Sequence, residues 1–208
     1  MRPISLSFSP ADDDTNGYGA TLSGTAGAAF TLTANNAGDS MAHLVIITPS
    51  GSVTGNYTLT GTDADGHAQT ETLATSTTNA VTSTKYYKTL TEVLAPSGIG
   101  AETVDIGWTD DIVSKTIPLD SRANPFSVGI GVDITGTINY TIQHTFASIL
   151  APGSIPSTEK WFNHSSLTGQ TADANGNYAF NCQAMRLLIN SMSSGATVTL
   201  EVVQAPTT

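Results

Sequence analysis

Phe126-Ser-Val-Gly-Ile-Gly-Val-Asp-Ile134, continued beyond Thr135-Gly-Thr137 by Ile138-Asn-Tyr-Thr-Ile-Gln-His-Thr-Phe146, is the stretch on which the fold class turns. Apolar side chains fall at Phe126, Val128, Ile130, Val132 and Ile134, and the pattern resumes at Ile138, Tyr140, Ile142 and Phe146, with His144 on the same phase. Period two belongs to a strand, whose successive side chains point to opposite faces; a helix needs 3.6. The pair predicts an antiparallel hairpin with one buried face. Met185, Leu187 and Ile189, then Ser193-Ser-Gly195, then Val198, Leu200 and Val202 repeat the pattern and predict a second hairpin.

The same reading extends upstream. His43-Leu-Val-Ile-Ile-Thr48 is a β-branched run stopped by Pro49-Ser-Gly51. Tyr57–Thr62 and Ala68–Leu73 flank Asp63-Ala-Asp-Gly66, and the Asp65-Gly66 dipeptide predicts a type I′ hairpin turn. Thr84–Leu94 reads as a long strand with room for a bulge, Val104–Thr109 as an alternating strand, and Ile4–Phe8 and Ala28–Thr33 as edge strands. Sustained helical periodicity is absent. One or two turns near Ser157-Thr-Glu-Lys-Trp-Phe-Asn-His164, with Ser157 as cap, are the only helix expected. The fold class predicted is all-β: two antiparallel β-sandwich or jelly-roll-like modules, residues 1–113 and 119–208.

Composition narrows the function classes. The 208 residues carry 7 Lys+Arg against 17 Asp+Glu, a net charge of −10, with 19 Gly and a 39% apolar share. Thr, Ser and Gly together exceed a third of the chain. Disorder is excluded by apolar residues arranged in runs. Seven cations spread over the chain cannot form the basic stripe that nucleic acid requires. No apolar run of 18 residues or more spans a membrane. Residues 1–113 hold three cations against twelve acids, a net of −9, whereas 114–208 hold four against five. That shift, with Lys115-Thr-Ile-Pro-Leu119 as connector, sets the expected joint. Met1–Leu6 lacks the apolar core of a signal peptide, so synthesis in a cytoplasm is expected.

Chemistry-bearing patterns are sparse. Cys182 is alone, which excludes an internal disulfide and a cysteine-based zinc site, and its strand context predicts a buried thiol. Asp63-Ala-Asp-Gly-His67 departs from a calcium loop, since Gly66 falls too early, the third acid is absent and strands flank it; a hairpin turn explains it better. His43, His67, His144 and His164 share no metal-ligand spacing. Neither a nucleophile elbow nor a phosphate loop occurs. No catalytic, cofactor-binding or metal-binding residue is assigned from the sequence.

Thr58–Thr72, Thr82–Glu92 and Val104–Trp108, together with Gln143-His-Thr-Phe146, the segment around Trp161, Ala184–Ile189 and Gly195–Gln204, resemble small β-rich virion structural proteins of tailed bacteriophages. The resemblance rests on strand-and-turn patterns. It implies a role in decorating capsids, filling necks or joining tail parts, localisation to the virion, the major capsid protein or other virion proteins as partners, and a homo-oligomeric or multivalent state. It brings no catalytic residues. Capsid decoration (cement) is the leading expectation and a neck, tail or fibre-adaptor component the alternative. A host-glycan or cell-surface module, stacking sugars on Trp108, Trp161, Tyr86 and Tyr87, is a third. Residues 9–29, rich in Gly and Pro, read as a mobile arm that orders against a neighbour. Its expected assembly contacts are Asp12, Asp13, Asp14, Tyr18 and Leu22.

Overall fold

The computed structural model describes residues 3–76, 79–123, 126–147 and 160–204. It is all-β and β-sandwich-like, with no helix among the described residues. The chain forms two compact units: Asp13–Ile112, and Val113–Thr208 joined by Met1–Asp12. They are called the amino-terminal and carboxy-terminal units below. The first twelve residues thus depart from the module 1–113 to which the sequence reading assigned them, because Ile4–Phe8 finds its strand partner near residue 200.

In the amino-terminal unit the strands are β2 (Asp14–Ser23), β3 (Ala42–Pro49), β4 (Asn56–Thr62), β5 (Ala68–Ala74), β6 (Val81–Tyr87), β7 (Thr89–Leu94) and β8 (Thr103–Val113). One sheet runs β8-β3-β6 with β2 on β8, and a second runs β5-β4-β7. The expected single strand over 84–94 breaks at Lys88, where the chain leaves one sheet for the other. Val45, Ile47, Tyr57, Leu59, Tyr87, Leu90, Val93 and Ile106 pack between them. The β4–β5 hairpin forms in the expected register, Tyr57↔Leu73 to Thr62↔Ala68. Its turn differs in type. Only Gly66 takes a positive φ, +89°, whereas type I′ requires two such residues. The Asp63 carboxylate instead accepts the amides of Asp65 and His67, each at 2.9 Å, and Gly66 supplies the left-handed step that ends the turn.

The segment 9–29, expected to be a mobile arm, is built into the fold over Asp14–Ser23, which is a strand. It pairs with β8 irregularly, Asp14 opposite Trp108 but Gly19 already opposite Ile106, so the intervening residues form a bulge. Glycine makes the bulge possible. A Cβ on Gly107 would collide with the backbone of Asp14, and one on Gly17 with the Trp108 ring. The breakers that read as irregular chain permit close approach here. Ala28–Thr33 forms no strand, only a bridge from Ala29 to Leu94.

The carboxy-terminal unit contains β1 (Ile4–Phe8), β9 (Ile117–Pro118), β10 (Val128–Thr135), β11 (Ile138–Thr145), β12 (Phe162–Asn163), β13 (Ala174–Tyr178), β14 (Ala184–Met192) and β15 (Thr197–Gln204). Neither expected hairpin forms. β10 pairs with β13 and β15, β11 with β12 and β14, so each supposed hairpin is an arch that crosses from one sheet to the other. The sheets are β1-β15-β10-β13 and β12-β11-β14 with β9 on β14. A hairpin would set its apolar residues side by side and leave them needing cover. In the arch Val128, Ile130 and Val132 lie in the layer opposite Ile138, Tyr140 and Ile142, and all six are buried. Full burial of such a side chain is worth roughly 1.5–3 kcal/mol.

The two arch loops hold one another. Ser193 N donates to Thr137 O at 2.8 Å, and Thr137 N to Ser193 Oγ at 3.1 Å. The helical turn expected at 157–164 has its Ser157 cap outside the described residues, and Phe162–Asn163 is strand, because those residues bond to Gln143 and His144.

Candidate interaction surface

At one end of the carboxy-terminal sandwich the strands deliver a ring of aromatic side chains. His144 lies on β11 and Phe146 follows the strand on the same phase, and β12 sets Phe162 directly opposite His144. Tyr178 closes β13 in the other sheet and Phe180 follows on the same phase. The His144 imidazole lies 5.2 Å from Phe146, 5.0 Å from Tyr178, 5.2 Å from Phe180 and 5.9 Å from Phe162, centroid to centroid. Phe146 in turn touches Phe162 and Phe180, at 5.7 and 5.9 Å. Edge-to-face and tilted arrangements of this kind suit the ring quadrupoles.

Burial divides the cluster into floor and rim. His144 and Tyr178 are buried, whereas Phe146, Phe162 and Phe180 remain 53%, 46% and 47% exposed. Three rings near half exposure leave about 300 Å² of clustered aromatic surface, from roughly 200 Å² for a whole ring. Scattered apolar residues need no explanation; a contiguous patch of this size matches the largest on an ordinary monomer and is the candidate interaction surface of this unit.

A second histidine supports the floor. His164 Nδ1 accepts the amides of Ser166 and Leu167, each at 3.2 Å, and Nε2 donates to Asn177 O at 3.1 Å. Its ring packs on Tyr178 at 4.8 Å. His144 Nδ1 has no hydrogen-bond partner among the described residues. Burial, and then the neighbouring His164, hold the His144 pKa below its ordinary 6.5, so the ring is neutral in neutral solution. Burial pushes the Cys182 thiol up to about 11, which leaves it unreactive.

On the other face of the same strands lies a polar brace. Gln143 Nε2 donates to Asn163 Oδ1 and Arg186 Nε to Gln143 Oε1, both at 2.9 Å. The Arg186 guanidinium stacks 4.3 Å over Trp161. The brace ties the two-residue β12 across the sheet and so fixes Phe162.

The residues singled out in the sequence fare differently. Asp12, Asp13 and Asp14 are exposed, and Asp14 Oδ1 accepts the Asn16 amide at 3.1 Å. Tyr18, expected on an assembly surface, is fully buried and stands edge-on to Trp108 at 4.9 Å, a core position. Leu22 is half-buried against the same core. Trp108 and Tyr87, named as sugar-stacking residues, are also core. Tyr86 donates to Asp111 Oδ1 at 2.7 Å, and Trp161 is covered by Arg186. Phe146, Phe162 and Phe180 were not singled out as site residues. Half of the chain's six phenylalanines lie here, but nothing local marks them as neighbours.

Among the described residues no three His, Cys, Asp or Glu side chains are grouped to hold a metal ion. His43 is instead fully buried between acceptors, Nε2 2.8 Å from Asp39 Oδ2 and Nδ1 2.9 Å from Thr109 O. What the aromatic end offers is contact area and shape. Comparison with protein-family models and with curated proteins finds no match for the chain.

Proposed function

We propose that this protein is a structural component of a tailed-bacteriophage particle, acting as capsid cement, with the rim Phe146, Phe162 and Phe180 as its anchor on the shell. The exposed aromatic patch carries the reading. Burying about 300 Å² of it yields on the order of 7 kcal/mol before the costs of association, sufficient for an anchor repeated over a lattice but weak for one isolated copy. Such a protein acts by mass action: it binds the assembled shell rather than its free subunits and so draws the equilibrium toward the intact particle.

Charge distribution supports the same reading. The carboxy-terminal unit has five cations against six acids, a net of −1, while the amino-terminal unit has two against eleven, a net of −9. A near-neutral unit bears the patch, and the acidic unit is suited to repel nucleic acid. A cement protein of this kind needs no catalytic residue, cofactor or membrane contact. The sugar-stacking alternative loses Trp108 and Tyr87 to the core.

The test is reconstitution on stripped shells. Wild-type protein is expected to rebind and restore resistance to heat, and F146S/F162S, still folded by circular dichroism, to fail at both. Shells equally resistant with and without the protein would overturn the cement role. A copy number matching one ring instead of the shell lattice would move the protein to the neck or tail.

A further inference from the structure

We infer that β1 is the pairing edge for a second copy of this chain, joining two carboxy-terminal sandwiches through a two-fold β1–β1 ladder. In the sheet β1-β15-β10-β13, β1 has β15 on one side and no strand on the other among the described residues. An open strand edge is a template for another chain, and folds guard edges with charges, prolines, bulges or covering loops. The opposite edge of this sheet is covered: His164 Nε2 donates to the Asn177 carbonyl of β13. In the amino-terminal unit Gln69 and Glu71 of β5 bond to the backbone of β6. Ile4-Ser-Leu-Ser-Phe8 has no such device among the described residues. It carries no charge and no proline, and its register against β15 is unbroken from Ile4↔Val202 to Phe8↔Val198.

The sequence of the strand is also self-complementary. Antiparallel pairing about Leu6 sets Leu6 opposite its own copy, Ile4 opposite Phe8 and Ser5 opposite Ser7. Directly opposed residues share a face, so half-buried apolar residues meet one another and exposed serines meet serines. A shift by one residue would mix the faces. No like charges oppose along the ladder, and the unit that bears it is near neutral. A second copy is therefore the occupant, and the product is one continuous sheet through both molecules. This pairing does not rest on the virion reading; it is a property of the free protein.

Sedimentation velocity on the full chain, from low micromolar to hundreds of micromolar, tests it. The wild type is expected to pass from one chain to two. S5K/S7K opposes lysines at both symmetric positions and should weaken association by about tenfold or more. S5K/S7E opposes each lysine to a glutamate and should restore it, with added salt dependence. Hydrogen exchange of the unmodified chain gives a reading free of any variant: protection at Ile4–Phe8 should rise with concentration. A wild type that stays a single chain, protection independent of concentration, or S5K/S7E as weak as S5K/S7K would each overturn the pairing.

Discussion

The Glu71 carboxylate on β5 accepts the backbone amide of Thr84 on β6 at 2.7 Å, and the Thr84 hydroxyl at 2.8 Å. It also takes the Lys85 amide at 3.2 Å, while Lys85 Nζ donates to Thr70 O at 2.8 Å and Gln69 Nε2 to Tyr86 O at 2.6 Å. A side chain thereby does the work of a strand ladder and joins the three-stranded sheet of the amino-terminal unit to its neighbour. Charge-assisted bonds to backbone amides are among the stronger ones available.

Glu71→Ala should lower stability by about 2 kcal/mol, since two amides and a hydroxyl lose their acceptor in a largely buried setting. Glu71→Gln, which keeps one oxygen, should cost about half as much. Urea denaturation of the two variants checks the order.

Two glycines separate strain from crowding. Gly136 and Gly195 both have positive φ, +85° and +71°. A Cβ on Gly136 would sit 3.0 Å from Ala196 Cβ, whereas one on Gly195 meets nothing within 4 Å. Gly195→Ala should therefore cost only the backbone term, about 1 kcal/mol, and Gly136→Ala clearly more. The difference between their unfolding midpoints is the measurement.

Tyr18 tests whether β2 belongs to the core. Its hydroxyl is buried without a hydrogen-bond partner among the described residues, so Tyr18→Phe should be neutral or stabilising. Tyr18→Ala removes the ring that stands on Trp108 and should cost about 3–5 kcal/mol. Deleting residues 14–23 should unfold the amino-terminal unit, which differential scanning calorimetry would register as a lost transition.

His144 imposes an acid limit. Its folded pKa lies below the unfolded value of 6.5, through burial first and His164 second. Above about pH 6.5 the ring is neutral in both states and contributes no pH dependence; below it the unfolded chain takes up a proton that the folded chain resists. Stability should fall as pH drops through 6.5 toward the lowered folded value. His144→Phe, which fills the aromatic floor with a ring that cannot titrate, should shrink that decline in urea midpoints between about pH 7 and pH 5.5.

Local chemistry is what the sequence settled without help. Period two at Val128–Ile134 and Ile138–Phe146 is a property of neighbouring residues, and it marks strands wherever they end up. The β4–β5 hairpin was legible for the same reason, because the Asp63 carboxylate that organises the turn bonds locally, to Asp65 and His67. Periodicity says which face of a strand is apolar, but not what covers it. Whether β10 and β11 lie side by side or cross between sheets is decided by β13, β14 and β15, far along the chain. So too with the breakers before Tyr18: Gly17 reads as looseness until Trp108, brought by β8, fills the space it leaves. The aromatic rim belongs wholly to tertiary structure. Phe146, Phe162 and Phe180 become neighbours only when β12 pairs with β11 and β13 ends beside His144, since a shared surface needs proximity in space, which separation along the chain does not encode.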